Sequence, residues 1–216
     1  MVGKSGSAAK QAGTGPAATK KVTRVRDRIF DTARELFYRY GIHGVGVDAI
    51  ADRAGTNKMS FYRSFASKDE LVAECLRESD RKFWGWWAET VGPHAGDPRR
   101  QVEALFDHYV KNTCKRGNRG CAIANAAVEL AEADHPASAV VRKHKAEVRR
   151  RFRQLAREMG AHEPAALGDA LTLLMEGSNL ARLTFNAHTG PASVAAGAAR
   201  ALMGAYLPPR RDGKAR

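Results

Sequence analysis

The sequence predicts an all-α protein: an N-terminal three-helix helix-turn-helix unit followed by a larger helical domain, about nine helices in total. Three observations predict it. Apolar residues recur at helical spacing in nearly every segment beyond Thr23. Pro98, Pro136, Pro164 and Pro191 stand where helices would begin, because proline is tolerated in the first helical turn. No segment alternates apolar and polar residues as a half-buried strand does, and no internal repeat is evident.

The first helix carries Ile29, Ala33, Leu36, Phe37 and Tyr40 along one stripe, and Gly41 stops it. Gly44 and Gly46 then allow a compact turn into a short helix beginning near Val47, with Ile50, Ala51 and Ala54 inward. Gly55 closes that helix, since glycine tolerates the left-handed conformation of a helix end. Asn57 is an N-cap for a third helix, whose inward side chains are Phe61 and Phe65. Ser67 and Glu70 form an S-x-x-E capping box opening a long fourth helix that carries Leu71, Val72, Cys75, Leu76, Phe83 and Trp87.

Asp97-Pro98 starts the next helix, with Val102, Leu105, Phe106, Tyr109 and Val110 on one side. Residues 117–120 read as a loop and 122–131 as a short helix. The helix from Pro136 presents Val141, His144, Val148, Phe152, Leu155 and Met159 before Gly160. The helix from Pro164 presents Leu167, Leu171, Leu174, Ser178, Ala181 and Phe185. The helix from Pro191 presents Val194, Ala198, Ala201, Leu202 and Ala205, and Pro208-Pro209 ends it.

A formal net charge of +13 points to a polyanionic partner. The charge is uneven: residues 1–28 hold seven basic residues against Asp27 alone. Residues 1–22, rich in Gly, Ala, Ser and Lys, cannot bury enough surface to order themselves and read as a basic arm, and 208–216 as a basic tail. No stretch approaches the roughly 18 apolar residues of a membrane span, and the N-terminus lacks an apolar signal core, so a cytoplasmic location with no membrane partner is expected. Cys75, Cys114 and Cys121 do not suggest a disulfide framework, and the spacing of His108, Cys114 and Cys121 matches no common zinc pattern, so no metal or cofactor is expected. Without a phosphate loop, nucleophile elbow or carboxylate partners evident for His135, His144, His162 and His188, an enzyme is not expected.

Lys58, Met59, Ser60, Tyr62 and Arg63 point outward from the third helix. A short helix with its N-terminus presented to solvent and a polar, basic outer face suits a DNA major groove. A specific reader and a non-specific architectural binder both fit the charge, but the large C-terminal domain serves only the first.

The run from Gly41 through Ile50-Ala51, Ala54-Gly55, Lys58, Phe61-Tyr62-Arg63-Ser64-Phe65 and Ser67-Lys68-Asp69-Glu70-Leu71 resembles the TetR family of bacterial transcriptional regulators over about 50 residues. Gly46 stands where the family often has Thr or Ser, Met59 where it usually has a small residue, and Ser64 where it often has His or Tyr. The resemblance implies a helix-turn-helix domain over 23–68 and an effector-binding and dimerisation domain over 69–207. It implies a dimeric repressor on a palindromic double-stranded DNA operator, released by a small-molecule effector. Asn57, Lys58, Met59 and Ser60 would enter the groove. Tyr62, Arg63 and Lys68 would clamp the backbone, with Arg24, Lys20 and Lys21 holding the strand alongside. The homodimer would pair through the last two helices, about 164–206, whose small residues (Ala170, Gly177, Ser178, Ala181, Ala195, Ala198, Ala199, Ala201, Ala205) permit close approach. Among Trp84, Trp86 and Trp87, some pack as core. Trp87, Phe106, Tyr109, Cys121, Met175 and Asn179 are the candidate effector-binding residues, with Cys121 readable either as a sensor thiol or as a buried small side chain. The basic cluster from Arg142 to Arg157 is a rival DNA surface or, more simply, a solvated helix face.

Overall fold

The computed structural model describes residues 24–113, 119–130, 134–185 and 189–208. The basic arm with Lys20 and Lys21, Cys114, and the tail beyond Pro208 lie outside the described residues. The order is α1 (Val25–Tyr40), α2 (Val47–Arg53), α3 (Lys58–Ser64), α4 (Lys68–Val91), α5 (Pro98–Thr113), α6 (Ala122–Glu129), α7 (Pro136–Glu158), α8 (Pro164–Thr184) and α9 (Ala195–Tyr206). Single 3-10 turns at Gly92–His94 and Pro191–Val194 precede α5 and α9, and no strand occurs among the described residues. No helix among them is long and apolar enough to cross a membrane.

Local chemistry sets most boundaries. Gly55 takes φ +63 after α2 and its N–H donates to Asp52 O at 3.1 Å, a conformation that side chains with a Cβ resist. The Asn57 Oδ1 accepts the Ser60 N–H at 2.9 Å, and the Ser67 Oγ accepts the Glu70 N–H at 3.1 Å. Asp97 likewise caps α5 through the Arg100 N–H at 2.9 Å.

The apolar side chains form two clusters. One gathers Ile29, Phe37, Ile50 and Phe61 of α1–α3, Leu71, Val72 and Leu76 of α4, Ile123 and Ala126 of α6, and Ala137 and Val141 at the start of α7. The other gathers Trp87 with Phe106, Phe152, Leu171 and Met203 from α5, α7, α8 and α9. At 24 residues, α4 is about 36 Å long, and like α7 it serves one cluster with its first half and the other with its second. The α7 and α8 backbones approach so closely that a Cβ on Gly168 would lie 2.6 Å from the Arg153 Cα and N.

Three expectations need correction. Tyr40 and Phe185, placed on inward stripes, are exposed at the ends of α1 and α8. In α9 the inward residues are Ala195, Ala196, Ala199 and Met203, whereas Val194, Ala201 and Ala205 face out. Alanine lines both sides of that helix, so its apolar periodicity is degenerate. Finally, α6 ends at Glu129, with Leu130 already out of the helix and Ala131 outside the described residues.

Candidate nucleic-acid interface and effector cavity

The outer face of α3 carries Lys58, Met59, Tyr62 and Arg63 exposed, with Ser60 half-buried; Met59 is 67% exposed and Tyr62 52%. Beneath them Phe61 is fully buried and packs edge-on against the Tyr62 ring at 5.3 Å. The Asn57 carbonyl is committed to capping, which leaves its amide N–H groups as outward donors. Lys58 Nζ lies 3.2 Å from Asp48 Oδ2 on α2, an exposed pair that water screens strongly. Lys68 is the first residue of α4, whose free leading amides favour an anion while Asp69 and Glu70 in the same turn oppose one. Arg24, exposed, immediately precedes α1.

The reading head is clamped from behind by residues that sequence reasoning counted only as charge. Arg26 Nη2 donates to both Glu74 oxygens at 2.7 Å, and its guanidinium lies 4.7 Å over the Phe65 ring. It thereby ties α1 and the end of α3 to α4. Arg28 Nε donates to Ala54 O at 3.2 Å, satisfying a carbonyl at the end of α2.

The C-terminal helices reach the reading head through α6. At its end, a Glu129 oxygen accepts the N–H groups of Ile42 at 2.5 Å and His43 at 3.3 Å, just after α1. Ahead of its start, the Tyr38 hydroxyl accepts the Arg119 N–H at 2.6 Å and donates to Gly120 O at 3.2 Å, while the Arg119 guanidinium donates to Arg39 O.

Two of the histidines, His144 and His135, have carboxylate partners, contrary to expectation, whereas His162 stacks on Tyr206 and His188 lies outside the described residues. His144 is buried between α7 and α4 with Nδ1 2.8 Å from Asp80 Oδ1, and Trp84 Nε1–H donates to that same oxygen at 2.8 Å. A carboxylate only accepts, so the imidazole proton sits on Nδ1. Burial holds His144 below the usual histidine range although Asp80 opposes that shift. His135 accepts the Ala137 N–H through Nδ1 at 3.1 Å, and its Nε2 lies 3.4 Å from Asp69.

The rival basic surface on α7 is partly paired within the fold. Arg149 and Arg153 grip Asp169 of α8 at 2.5–2.8 Å, Arg150 and Arg151 share Glu147, and Lys145 pairs with Glu176. Arg151 also lies 4.2 Å over Trp84. Five of the eight basic side chains in this cluster thus share three carboxylates within the fold, which lowers the charge of the face without cancelling it.

A cavity of about 380 Å³ lies between α1, α4 and α6, and one of about 300 Å³ between α4, α5, α6 and α8. Both are bordered by Ser79, Lys82, Gly120 and Ala122. Of the candidate effector residues, Tyr109, Cys121 and Asn179 line the second cavity. Phe106 and Met175 are buried in the core and line neither; Trp87 packs against Phe152 at 5.1 Å. The tryptophan that does line the cavity is Trp86, and Arg182 joins it, a residue the sequence did not single out. The Tyr109 hydroxyl donates to Asn179 Oδ1, which also accepts from Arg182 Nη2 at 2.9 Å. Burial pushes the half-buried Cys121 thiol up, which holds it as the thiol rather than the nucleophilic thiolate. No group of three or more His, Cys, Asp or Glu side chains that could hold a metal occurs among the described residues.

Comparison with known proteins agrees with this architecture. Residues 29–75 match the family of bacterial regulatory proteins described as the tetR family. The transcriptional activator FasR of Mycolicibacterium smegmatis is 42% identical over 85 residues, 38% of this chain and 39% of its own. The transcriptional repressor DhaR of a Mycobacterium species is 29% identical over 120 residues, 56% of this chain and 57% of its own. The chain thus spans about two fifths of the first and under three fifths of the second. Solved structures extend the likeness to nearly the whole fold. The TetR-family regulator SCO4454 of Streptomyces coelicolor superposes with a TM-score of 0.79 at 27% identity, over 85% of this chain and 96% of that one. A TetR-type regulator from Streptomyces avermitilis superposes at 0.72 with 30% identity, over 85% of this chain and 98% of that one. An outward-facing recognition helix on a clamped three-helix head, joined to a helical domain of this kind, is thus accompanied by likeness along nearly the full chain, and the protein belongs to the TetR family of bacterial transcriptional regulators.

Proposed function

We propose that this DNA-binding regulator is a ligand-responsive repressor that binds a palindromic operator as a homodimer. One observation carries the reading: α6 is held to the reading head at both ends, while its first residues border the cavities. A ligand that fits better with α6 in one position than another would shift the balance between two arrangements of the head. The direction of regulation is a separate matter, since FasR is named an activator and DhaR a repressor.

In this reading Met59 and Ser60 meet base edges, Asn57 and Lys58 lie at the groove, and Tyr62, Arg63, Lys68 and Arg24 hold phosphates. The head spans 23–68, the effector and dimerisation domain 69–207, and the flanking basic segments 1–22 and 208–216 add charge. The protein acts in the cytoplasm, where its DNA lies. Dimerisation is supported by an exposed apolar face shared by α8 and α9. Leu173 (72% exposed) and Leu180 (61%) flank Gly177 on α8, and Gly197, Ala201, Gly204 and Ala205 are exposed on α9. Of the small residues expected there, Ser178, Ala195 and Ala199 are buried within the protomer instead. Each dimer would present two α3 helices to half-sites about 34–36 Å apart.

Footprinting on DNA flanking the gene tests the reading. A protected two-fold symmetric site released by a small molecule is expected; uniform binding to unrelated DNA with no protected palindrome would overturn it.

A further inference from the structure

The cavity between α4, α5, α6 and α8 has an unbalanced polar lining. Lys82 and Arg182 contribute two cations, and no Asp or Glu lines it among the described residues. Arg182 has no carboxylate within ion-pair distance among the described residues; its Nη2 donates to Asn179 and its guanidinium lies 4.7 Å over the Tyr109 ring. Its Nε is buried with no hydrogen-bond partner among those residues, and so is Trp86 Nε1. Buried N–H groups are almost always satisfied, so two orphaned donors, both on residues that line this one cavity, mark a place where an acceptor is missing. The internal acceptor is used up, because Asn179 Oδ1 already takes bonds from Tyr109 and Arg182. Most of the remaining wall, from Phe83, Trp86, Tyr109, Ala122 and Ile123, is apolar and partly aromatic, with Ser79, Gly120 and Cys121 beside it.

We propose that this cavity takes a small apolar carboxylate, its carboxylate accepting from Arg182 Nε–H and Trp86 Nε1–H and its hydrocarbon body lying against Phe83, Tyr109 and Ile123. Arginine reads a carboxylate with well-matched geometry, and a guanidinium held out of water gains most from a charged acceptor. A volume of about 300 Å³ restricts the ligand to the small end of the usual range for binding sites. The proposal rests on the ligand-responsive reading and names the chemistry of its effector. It also supplies the route of the signal. Gly120 and Cys121 form part of the same wall, and Gly120 is bonded to Tyr38 of α1.

The test uses the full chain with octanoate and naphthaleneacetate, each paired with its methyl ester, by titration calorimetry and tryptophan fluorescence. At least one acid is expected to bind saturably and about tenfold or more tighter than its ester. Arg182→Gln should bring acid and ester to similar affinity. Trp86→Phe keeps the aromatic wall but lacks the N–H, so it should weaken the acid several-fold and leave the ester unchanged. Thermal melts check folding, and if Arg182→Gln does not fold, Trp86→Phe decides. Esters binding as well as acids, a preference that survives Arg182→Gln, or no saturable acid binding would each overturn the proposal. The two readings fail separately. Acid binding without operator release upholds the ligand class and sinks the effector reading. Operator release by the esters and not the acids sinks the ligand class alone.

Discussion

Glu129, the last residue of α6, accepts the backbone N–H of Ile42 at 2.5 Å across 87 residues of sequence. The same oxygen accepts from His43, and the Glu129 carbonyl lies 2.9 Å from His43 Nε2. One side chain thus closes the free amides that follow α1 and fixes α6 to the head. Glu129→Ala leaves these donors to water and should cost about 1–3 kcal/mol, read as a lower urea midpoint. Glu129→Gln keeps an acceptor without the charge and should recover part of the loss. In both, operator affinity without ligand should change less than the response to ligand, because the latch belongs to the coupling and not to the DNA surface. An unchanged ligand response in Glu129→Ala would remove α6 from the signal route.

The α7–α8 contact offers a sharper steric test. A methyl on Gly168 would meet Arg153 backbone atoms at 2.6 Å, and backbone packed between two helices cannot yield as a side-chain end can. Gly168→Ala should therefore destabilise by about 1–3 kcal/mol through overpacking. Gly85 of α4 is exposed, and a Cβ there meets nothing within 4 Å. Gly85→Ala should stabilise by about 0.5–1 kcal/mol through helix propensity alone. Opposite signs for the same substitution, compared by thermal melts, are the expected result.

What could be foreseen from sequence follows the range of the interaction. Asn57, Gly55 and Ser67 act on amides within a few residues, so their capping roles are written in local spacing. Arg26–Glu74, His144–Asp80 and Glu129–Ile42 join residues 48, 64 and 87 apart, and no periodicity encodes such pairs. The cavity shows the same limit differently. Phe106 and Trp86 are both aromatic residues at helical spacing, yet one fills the core and the other lines space, a difference set by helix crossing geometry. Arg182 gave no signal, because a lone arginine on a mostly apolar helix reads as an ordinary surface charge.

On the recognition helix, charge and shape should separate in the data. Arg63 is exposed, and in the proposed complex it faces a phosphate. Arg63→Ala should weaken binding evenly across sequences and reduce the slope of log affinity against log salt by about one. Met59, the most exposed apolar side chain of α3, would contact base edges. Met59→Ala should leave the salt slope intact and alter preference among operator variants, by about 1 kcal/mol or less at a thymine position. Competition binding at several salt concentrations separates the two.

His144 predicts a pH dependence with a definite sign. Its native affinity for a proton is lowered by burial, so below about pH 6.5 the unfolded chain takes up a proton that the native state refuses. Stability should fall as pH drops below that value, by at most about 1.4 kcal/mol per pH unit, until the native imidazole is also protonated. The acidic pairs act elsewhere. Arg150 and then Arg151 hold Glu147 down to about 2, and Arg149 and Arg153 hold Asp169 lower still, so both lose their contribution only below about pH 4.5. His144→Asn should flatten urea midpoints between pH 7 and 5.5 while leaving the steeper acid loss in place. A wild-type midpoint that does not fall over that interval would contradict the burial of the pair.

The proposed dimer is most exposed to test at α8. Leu173 and Leu180 lie seven residues apart, hence on one face two turns long, with Gly177 between them offering no side chain to hold a partner helix away. The Gly197 and Gly204 positions repeat that spacing on α9, and a Cβ at any of these three glycines meets nothing within 4 Å of its own protomer. Two such grooves can pack helix against helix at short distance, burying leucines that otherwise face water. Leu180→Glu places a charge within that apolar contact, and in an isologous dimer it does so twice, where desolvation costs most. Light scattering should then report a monomer at concentrations where the wild type is a dimer. The protomer should keep its helical signal and melt as a folded unit, since Leu180 contributes nothing to either internal cluster. Operator affinity should drop steeply with it, because a single head gains no second half-site. A Leu180→Glu protein that remains dimeric would move the interface off this face.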